Sequence, residues 1–396
     1  MVNVIGLGYI GLPTSLMMAS HGIKVVGTNH GEDKVNSLRS GKITFEEKGL
    51  DELFRKALEA GIEFTTEYVA ADYYVISVAT PYDDETKKVD MSGIVAALGD
   101  VIKVAPANAV VIIESTISPG SVDNVVRPFL KEKGREDLRL VHAPERIIPG
   151  NMVHELIHND RTIGADDAKT GEAVKELYAS FCKGDIVVTD IKTAEMTKVV
   201  ENTYRCVNIA FANEIARICD AENMDVYEVI KICNKHPRVN ILNPGPGVGG
   251  HCIPIDPWFL VGDHPELTNV IRSALEVNRS MPLHVLDKIR KICTENGIAL
   301  SRVGLYGLSF KENVDDWRES PTIQLLEKQS FKVYDPWISR DIVPDQYHDF
   351  DSFLEDTDFV VIMAKHDHIK QNVDKLGNKT VLDCCNVCSL PGVYHI

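Results

Sequence analysis

Apolar residues in this chain fall into short continuous runs separated by longer stretches of helical periodicity. The runs lie at residues 2–8, 24–28, 73–78, 109–114, 138–142 and 186–188. Short apolar runs ended by glycine, proline or polar clusters read as buried strands. Their alternation with helical stretches predicts a doubly wound parallel sheet over about the first 185 residues. From 192 to 220 there is neither glycine nor proline, and Met196, Val199, Val200, Thr203, Val207 and Phe211 recur at helical spacing. One long helix is expected there, with residues at both an active site and a subunit interface. Residues 269–290 also carry a helical period, with a break expected near Pro282. Four further strands are expected at 303–308, 332–335, 359–363 and 380–383, with helical material at 322–328 among them. The fold class is therefore α/β: two Rossmann-like doubly wound domains, 1–189 and 301–396, joined by a long central helical segment, 190–300.

Composition narrows the partners. A chain of 396 residues holds two or three domains and ample core. Its net charge of −16 argues against nucleic acid, and it requires that any anionic ligand be met by local arginine and lysine. The N-terminus leads straight into a strand, so no signal peptide is expected, and no apolar run approaches the roughly 18 residues of a membrane span. Nine cysteines, odd in number and without framework spacing, fit reduced thiols in a cytoplasm. Cys384, Cys385 and Cys388 fit core strand better than half a metal site, so no metal is expected.

Two motifs carry chemistry. Gly6, Gly8 and Gly11 form G-x-G-x-x-G between the first strand and a helix, with Tyr9 and Ile10 inside it. That context predicts dinucleotide binding, because the glycines allow a tight turn, close approach of pyrophosphate and helix–strand packing. The second strand ends at Asn29 where an acid usually meets the adenosine ribose. With no arginine nearby for a 2′-phosphate, NAD is preferred to NADP. The other motif, residues 243–257, sets Cys252 among Gly245, Gly247, Gly249, Gly250 and four prolines, with His251 before it and Asp256 four residues on. Rigid backbone around one thiol suits a positioned nucleophile. The competing reading is a buried structural cysteine.

These motifs and several others resemble, in order along nearly the whole chain, the nucleotide-sugar 6-dehydrogenases that act on UDP-glucose, GDP-mannose and UDP-N-acetylhexosamines. The matching segments are 6–13, 78–81, 114–120, 143–150, 198–202, the cysteine loop and 307–321. The resemblance implies that the first domain binds NAD, the last binds the nucleotide half of a UDP-sugar, and the central helices form a homodimer. It places Gly6, Gly8, Tyr9, Ile10, Gly11, Asn29, Thr80, Pro81, Thr116, Lys311 and Arg318 at the cofactor. It also places Glu145, Arg146, Lys198, Asn202, Gly249, His251, Arg272 and Lys311 at the substrate, with Arg161 a further sugar-side candidate.

Oxidation of a C6 alcohol to a carboxylate removes four electrons, so two NAD molecules act in turn. By resemblance Lys198 takes the hydroxyl proton, as desolvated lysines can. Asn202 lies one helical turn on, on the same face. Cys252 as thiolate converts the aldehyde to a thiohemiacetal and then a thioester. By resemblance Asp256 is expected to orient water or the lysine, Glu145 to aid hydrolysis through water, and Thr116 to hold a hydroxyl near the reacting centre. Either acid could instead cap a helix or form an ion pair, and Thr116 could equally cap a helix. Residues 142–151, 155–156, 159–164 and 313–321 are similar to UDP-N-acetyl-D-mannosamine dehydrogenases, which implies that substrate and a place in surface-polysaccharide or glycan assembly. UDP-N-acetylglucosamine and UDP-glucose are the alternatives within the family. A two-electron β-hydroxyacid dehydrogenase and a non-catalytic nucleotide-sugar sensor are the alternatives outside it.

Overall fold

Eight strands order as β3-β2-β1-β4-β5-β6-β7-β8 in the first sheet. They are β1 Val2–Ile5, β2 Val25–Thr28, β3 Glu63–Thr65, β4 Tyr73–Ile76, β5 Val110–Ile113, β6 Arg139–His142, β7 Arg161–Ala165 and β8 Ile186–Thr189. β1, β2, β4 and β5 are almost wholly apolar and buried, as strands covered on both faces must be. One core packs Leu12, Leu16 and Met17 of the first helix, Gly11–Ser20, against one face. A second, with Ile94, Leu98 and Val101 of the helix Ser92–Val104, covers the other.

The sheet departs from the expected all-parallel arrangement at one pairing. β6 and β7 run antiparallel, through Val141 with Ala165 and His142 with Gly164. The helix between them, Met152–His158, is only seven residues long, and the chain folds back rather than crossing over. β3 and β7 were not marked by apolar runs, because β3 spans three residues and β7 opens on Arg161 and Thr162.

The computed structural model describes residues 1–396, in two compact units, Met1–Glu201 and Asn202–Ile396. A single helix, Ile191–Ala221, runs through the boundary, matching the glycine- and proline-free stretch.

The second unit carries the sheet β11-β10-β9-β12-β13-β14. Its strands are β9 Val303–Tyr306, β10 Lys332–Tyr334, β11 Gln346–Tyr347, β12 Phe359–Ile362, β13 Thr380–Asp383 and β14 Tyr394–His395. All of its pairings are parallel, and β9 and β12 meet at the switch between the two halves of the sheet. The helix Asn269–Asn296 is unbroken through Pro282, against the break expected there. Its buried residues Leu275, Asn278, Met281, Val285, Ile289 and Ile292 keep helical spacing across the proline. Packing of that stripe outweighs the one lost N–H bond.

Candidate active site

The dinucleotide turn stands where β1 meets β4, at the carboxyl ends of the strands, where doubly wound sheets bind ligands. Gly6 has φ +90°, and a Cβ there would lie 2.5 Å from the Ser77 carbonyl oxygen. A Cβ on Gly11 would lie 2.0 Å from the Gly6 carbonyl oxygen. Both glycines are therefore demanded by packing. At Gly8 an added Cβ would meet nothing within 4 Å, so the middle of the turn lines open space in front of the first helix. That is the cradle a pyrophosphate needs, and these residues fit a dinucleotide. Tyr9 packs against Phe45, with ring centroids 4.4 Å apart and planes tilted by 38°. Asn29 accepts the Leu7 N–H at 3.2 Å, tying the end of β2 to the glycine turn. The Thr80 hydroxyl donates to the Thr116 carbonyl at 2.7 Å, and Ser115 donates to the Val78 carbonyl at 2.7 Å. The loops after β4 and β5, including Pro81, are thereby stitched together.

Glu145 follows β6 and is buried. One of its carboxylate oxygens is ion-paired with Arg161, and the other accepts the Arg146 N–H at 2.7 Å. Arg161 is buried over the Tyr178 ring, 4.6 Å from its centroid. The Arg146 guanidinium forks onto Glu201 and also donates to the Asp160 carbonyl and the Thr162 hydroxyl. Both arginines, expected at the sugar, thus serve protein carboxylates. Lys198 is buried on the long helix, one turn from Glu195. The Glu195 carboxylate accepts the N–H groups of Gly120 and Val122, closing the loop just after Thr116.

Three buried groups here escaped the sequence reading. Glu114 immediately follows β5, accepts from Thr14 and Tyr178, and leaves one carboxylate oxygen without a partner. Burial, then the neighbouring Glu145 charge, pushes its carboxyl up to about 7. His142 ends β6 with neither ring nitrogen hydrogen-bonded, and burial pushes its imidazole down to about 3. Glu195 is the third. The available signal was position: polar residues at the carboxyl ends of apolar strands, and an acid three residues before Lys198 on one helix.

In the second unit the Asn202 amide donates to Asp256 at 2.6 Å, with both side chains buried. Asp256 opens the helix Asp256–Asp263, and its N–H donates to the Cys252 carbonyl at 2.8 Å. Cys252 itself is exposed. Burial raises the thiols of Cys206, Cys219, Cys293, Cys384 and Cys388 and makes them poor nucleophiles. The cysteine loop rests on the segment after β9. A Cβ on Gly249 would lie 2.6 Å from both the Glu319 carbonyl oxygen and the Phe310 Cβ, and the Gly250 N–H donates to the Arg318 carbonyl at 3.1 Å. His251 is exposed, and partial desolvation followed by the Arg318 charge holds its imidazole below the usual value. Arg318 forks onto Asp316, at 2.8 and 2.6 Å. Lys311 is half-buried in the same segment, and Arg272 is exposed near the start of its helix.

The glycine turn at the carboxyl ends of a doubly wound sheet defines a pyridine-nucleotide dehydrogenase as the class of protein. The chain belongs to the UDP-glucose/GDP-mannose dehydrogenase family. The family's NAD binding domain matches residues 1–182, its central domain 192–280 and its UDP binding domain 304–390. A UDP-N-acetyl-D-mannosamine dehydrogenase of Methanocaldococcus jannaschii is 42% identical over 98% of this chain and 92% of its own length. An NDP-N-acetyl-D-galactosaminuronic acid dehydrogenase of Ralstonia nicotianae is 39% identical over 96% of this chain and 95% of its own. The solved UDP-N-acetyl-mannosamine dehydrogenase of Staphylococcus aureus is 38% identical, with TM-score 0.89 over 100% of this chain and 97% of that one. This chain is an NAD-dependent nucleotide-sugar 6-dehydrogenase. No helix in it is long and apolar enough to cross a membrane.

Proposed function

We propose that this enzyme oxidises the C6 hydroxyl of UDP-N-acetyl-D-mannosamine to the carboxylate, in four electrons, through Cys252. The observation that carries the covalent route is the exposed thiol in a glycine loop that neighbouring backbone holds in place. The substrate rests on relatives of that name from M. jannaschii and S. aureus, and on a further relative whose name also contains an acetamido sugar.

NAD, held by the glycine turn, Asn29 and the Thr80–Thr116 loops, supplies the hydride acceptor for both oxidations when bound. Lys198 takes the proton from the C6 hydroxyl as the aldehyde forms. Asn202, its amide oriented by Asp256, donates to oxygen that gains negative charge. The Cys252 thiolate then adds to the aldehyde carbon, and the carbonyl oxygen gains a proton to give a thiohemiacetal. Loss of a hydride from that carbon and of the hydroxyl proton leaves a thioester. Water adds to the thioester carbon, the C–S bond breaks and the thiol is restored with release of the acid. Glu145, fixed by Arg161, orients that water, and the Thr116 hydroxyl holds a substrate oxygen. Lys311 and Arg318 meet phosphate charge that the chain's net −16 would otherwise repel.

The assembly we infer is a homodimer through the central helices. Tyr204, Phe211 and Ile218 lie seven residues apart on one helix face and are 61%, 52% and 53% exposed, a stripe that a second copy would cover. Nine cysteines, an odd number without framework spacing, fit a reducing cytoplasm.

The test is NADH formed per sugar consumed on UDP-N-acetylmannosamine, UDP-N-acetylglucosamine and UDP-glucose. Two per sugar on the first, with acid formation lost in Cys252→Ala, is expected. One per sugar, with Cys252→Ala active, would mean a simple alcohol dehydrogenase. Preference for another sugar would move the substrate but not the mechanism, and no turnover would favour a sensor.

A further inference from the structure

A closed set of buried polar groups lies at the switch point of the second sheet, and none of the chemistry above uses it. Asp335, next after β10, is fully buried. Its carboxylate accepts the N–H groups of Leu308 at 2.7 Å, Ser309 at 2.9 Å and Trp337 at 2.8 Å. His366, four residues past β12, is equally buried. Its Nδ1 accepts the Asn313 N–H at 2.8 Å. The ring proton therefore sits on Nε2, which faces the Ser309 hydroxyl at 3.1 Å and Asp335 at 3.3 Å. The Ser309 hydroxyl, accepting from His366, donates onward to the Lys311 carbonyl at 2.9 Å.

Every group has a partner of the opposite kind, and together they fix residues 308, 309, 311 and 313. Asn313 is held in the left-handed region, at φ +57°, by His366 and by two bonds with Asp367. Lys311 is held through its own carbonyl, and beside it stands Phe310: a Cβ on Gly249 would lie 2.6 Å from the Phe310 Cβ, and one on Gly250 would lie 2.8 Å from its ring, two to three residues before Cys252.

We propose that His366, acting with Asp335, is a positioning residue: it folds the segment 308–313 so that Lys311 faces the UDP phosphates and Phe310 sets the cysteine loop. This rests on the roles given above to Lys311 and Cys252. A buried imidazole that accepts one backbone N–H while donating to a carboxylate fixes the loop in two directions, which an apolar residue of the same size cannot do.

The test compares His366→Phe, His366→Gln and a control, Thr357→Val. Thr357 is buried in the same unit, and its hydroxyl, the group the substitution removes, donates to the Phe353 carbonyl at 2.8 Å. UDP alone is the binding probe, and alkylation of Cys252 by iodoacetamide, with Cys252→Ala subtracted, reports the loop. His366→Phe should raise the UDP Kd roughly tenfold or more and change the alkylation rate several-fold, since small misplacements of binding groups carry large penalties. His366→Gln should recover part of both, because an amide can accept or donate at those positions. Thr357→Val should lower the unfolding temperature but leave both readouts near wild type. Neither readout needs turnover, so they stand if the proposed substrate is wrong. Values for His366→Phe within twofold of wild type, or an equal change in Thr357→Val, would overturn the proposal.

Discussion

Glu114 immediately follows β5 and His142 ends the adjacent β6, and burial pulls their protonation in opposite directions. The Glu114 carboxyl rises from 4.5 to about 7, so between those values the folded chain holds a proton that the unfolded chain has released. Its contribution is full below 4.5 and is lost as pH rises through 7. His142 falls from 6.5 to about 3, so its contribution is present above 6.5 and is lost as pH falls toward 3. From 4.5 to 6.5 the two slopes oppose, and a broad, flat stability optimum is expected there. Comparing Glu114→Gln with wild type isolates one arm. The variant should gain on wild type by roughly 3 kcal/mol as pH goes from 4.5 to 7, by the linkage value of about 1.4 kcal/mol per pKa unit. Urea unfolding across that range checks it, and a pH-independent difference would show that Glu114 does not titrate there.

At the scale of elements, the cysteine loop is positioned by backbone that a single methyl group would disturb. A Cβ on Gly249 would sit 2.6 Å from the Glu319 carbonyl oxygen, well inside contact distance. Glu319 is itself held at φ +52°, so that carbonyl has little freedom to move away. Gly249→Ala should therefore push the loop off its support and lower turnover at least tenfold, with the unfolding temperature changed by only a few degrees. Turnover close to wild type would mean that the loop's position does not govern the chemistry. The long helix shows a second element effect. Glu195 closes the loop after Thr116, and Lys198, the base proposed above, follows one turn later on the same helix.

For the whole molecule, the exposed stripe of Tyr204, Phe211 and Ile218 is the feature that a single chain leaves unexplained. Scattered surface apolar residues are ordinary, but three large ones in register on one helix face are not. Replacing Tyr204 and Phe211 together by glutamate should convert a dimer to a monomer, as light scattering coupled to size exclusion would show. A wild-type monomer at micromolar concentration would remove the central helices as the interface.

Much of the fold was legible because buried parallel strands are written as apolar runs, and the long helix as a stretch free of glycine and proline. The glycine turn and Cys252 were legible because backbone without Cβ leaves a mark in composition. β3, β11 and β14 are two or three residues long, too short to carry a period. The continuity of the helix through Pro282 depended on a packed stripe that outweighs local propensity. Pairings between distant residues were settled only by tertiary structure: Arg161 with Glu145, Asn202 with Asp256, and Asp335 with His366. The sequence by itself determined which elements form and which residue types are available. Tertiary structure decided which charges meet and which thiols stay exposed, because burial and hydrogen bonding depend on neighbours in space that no local pattern records.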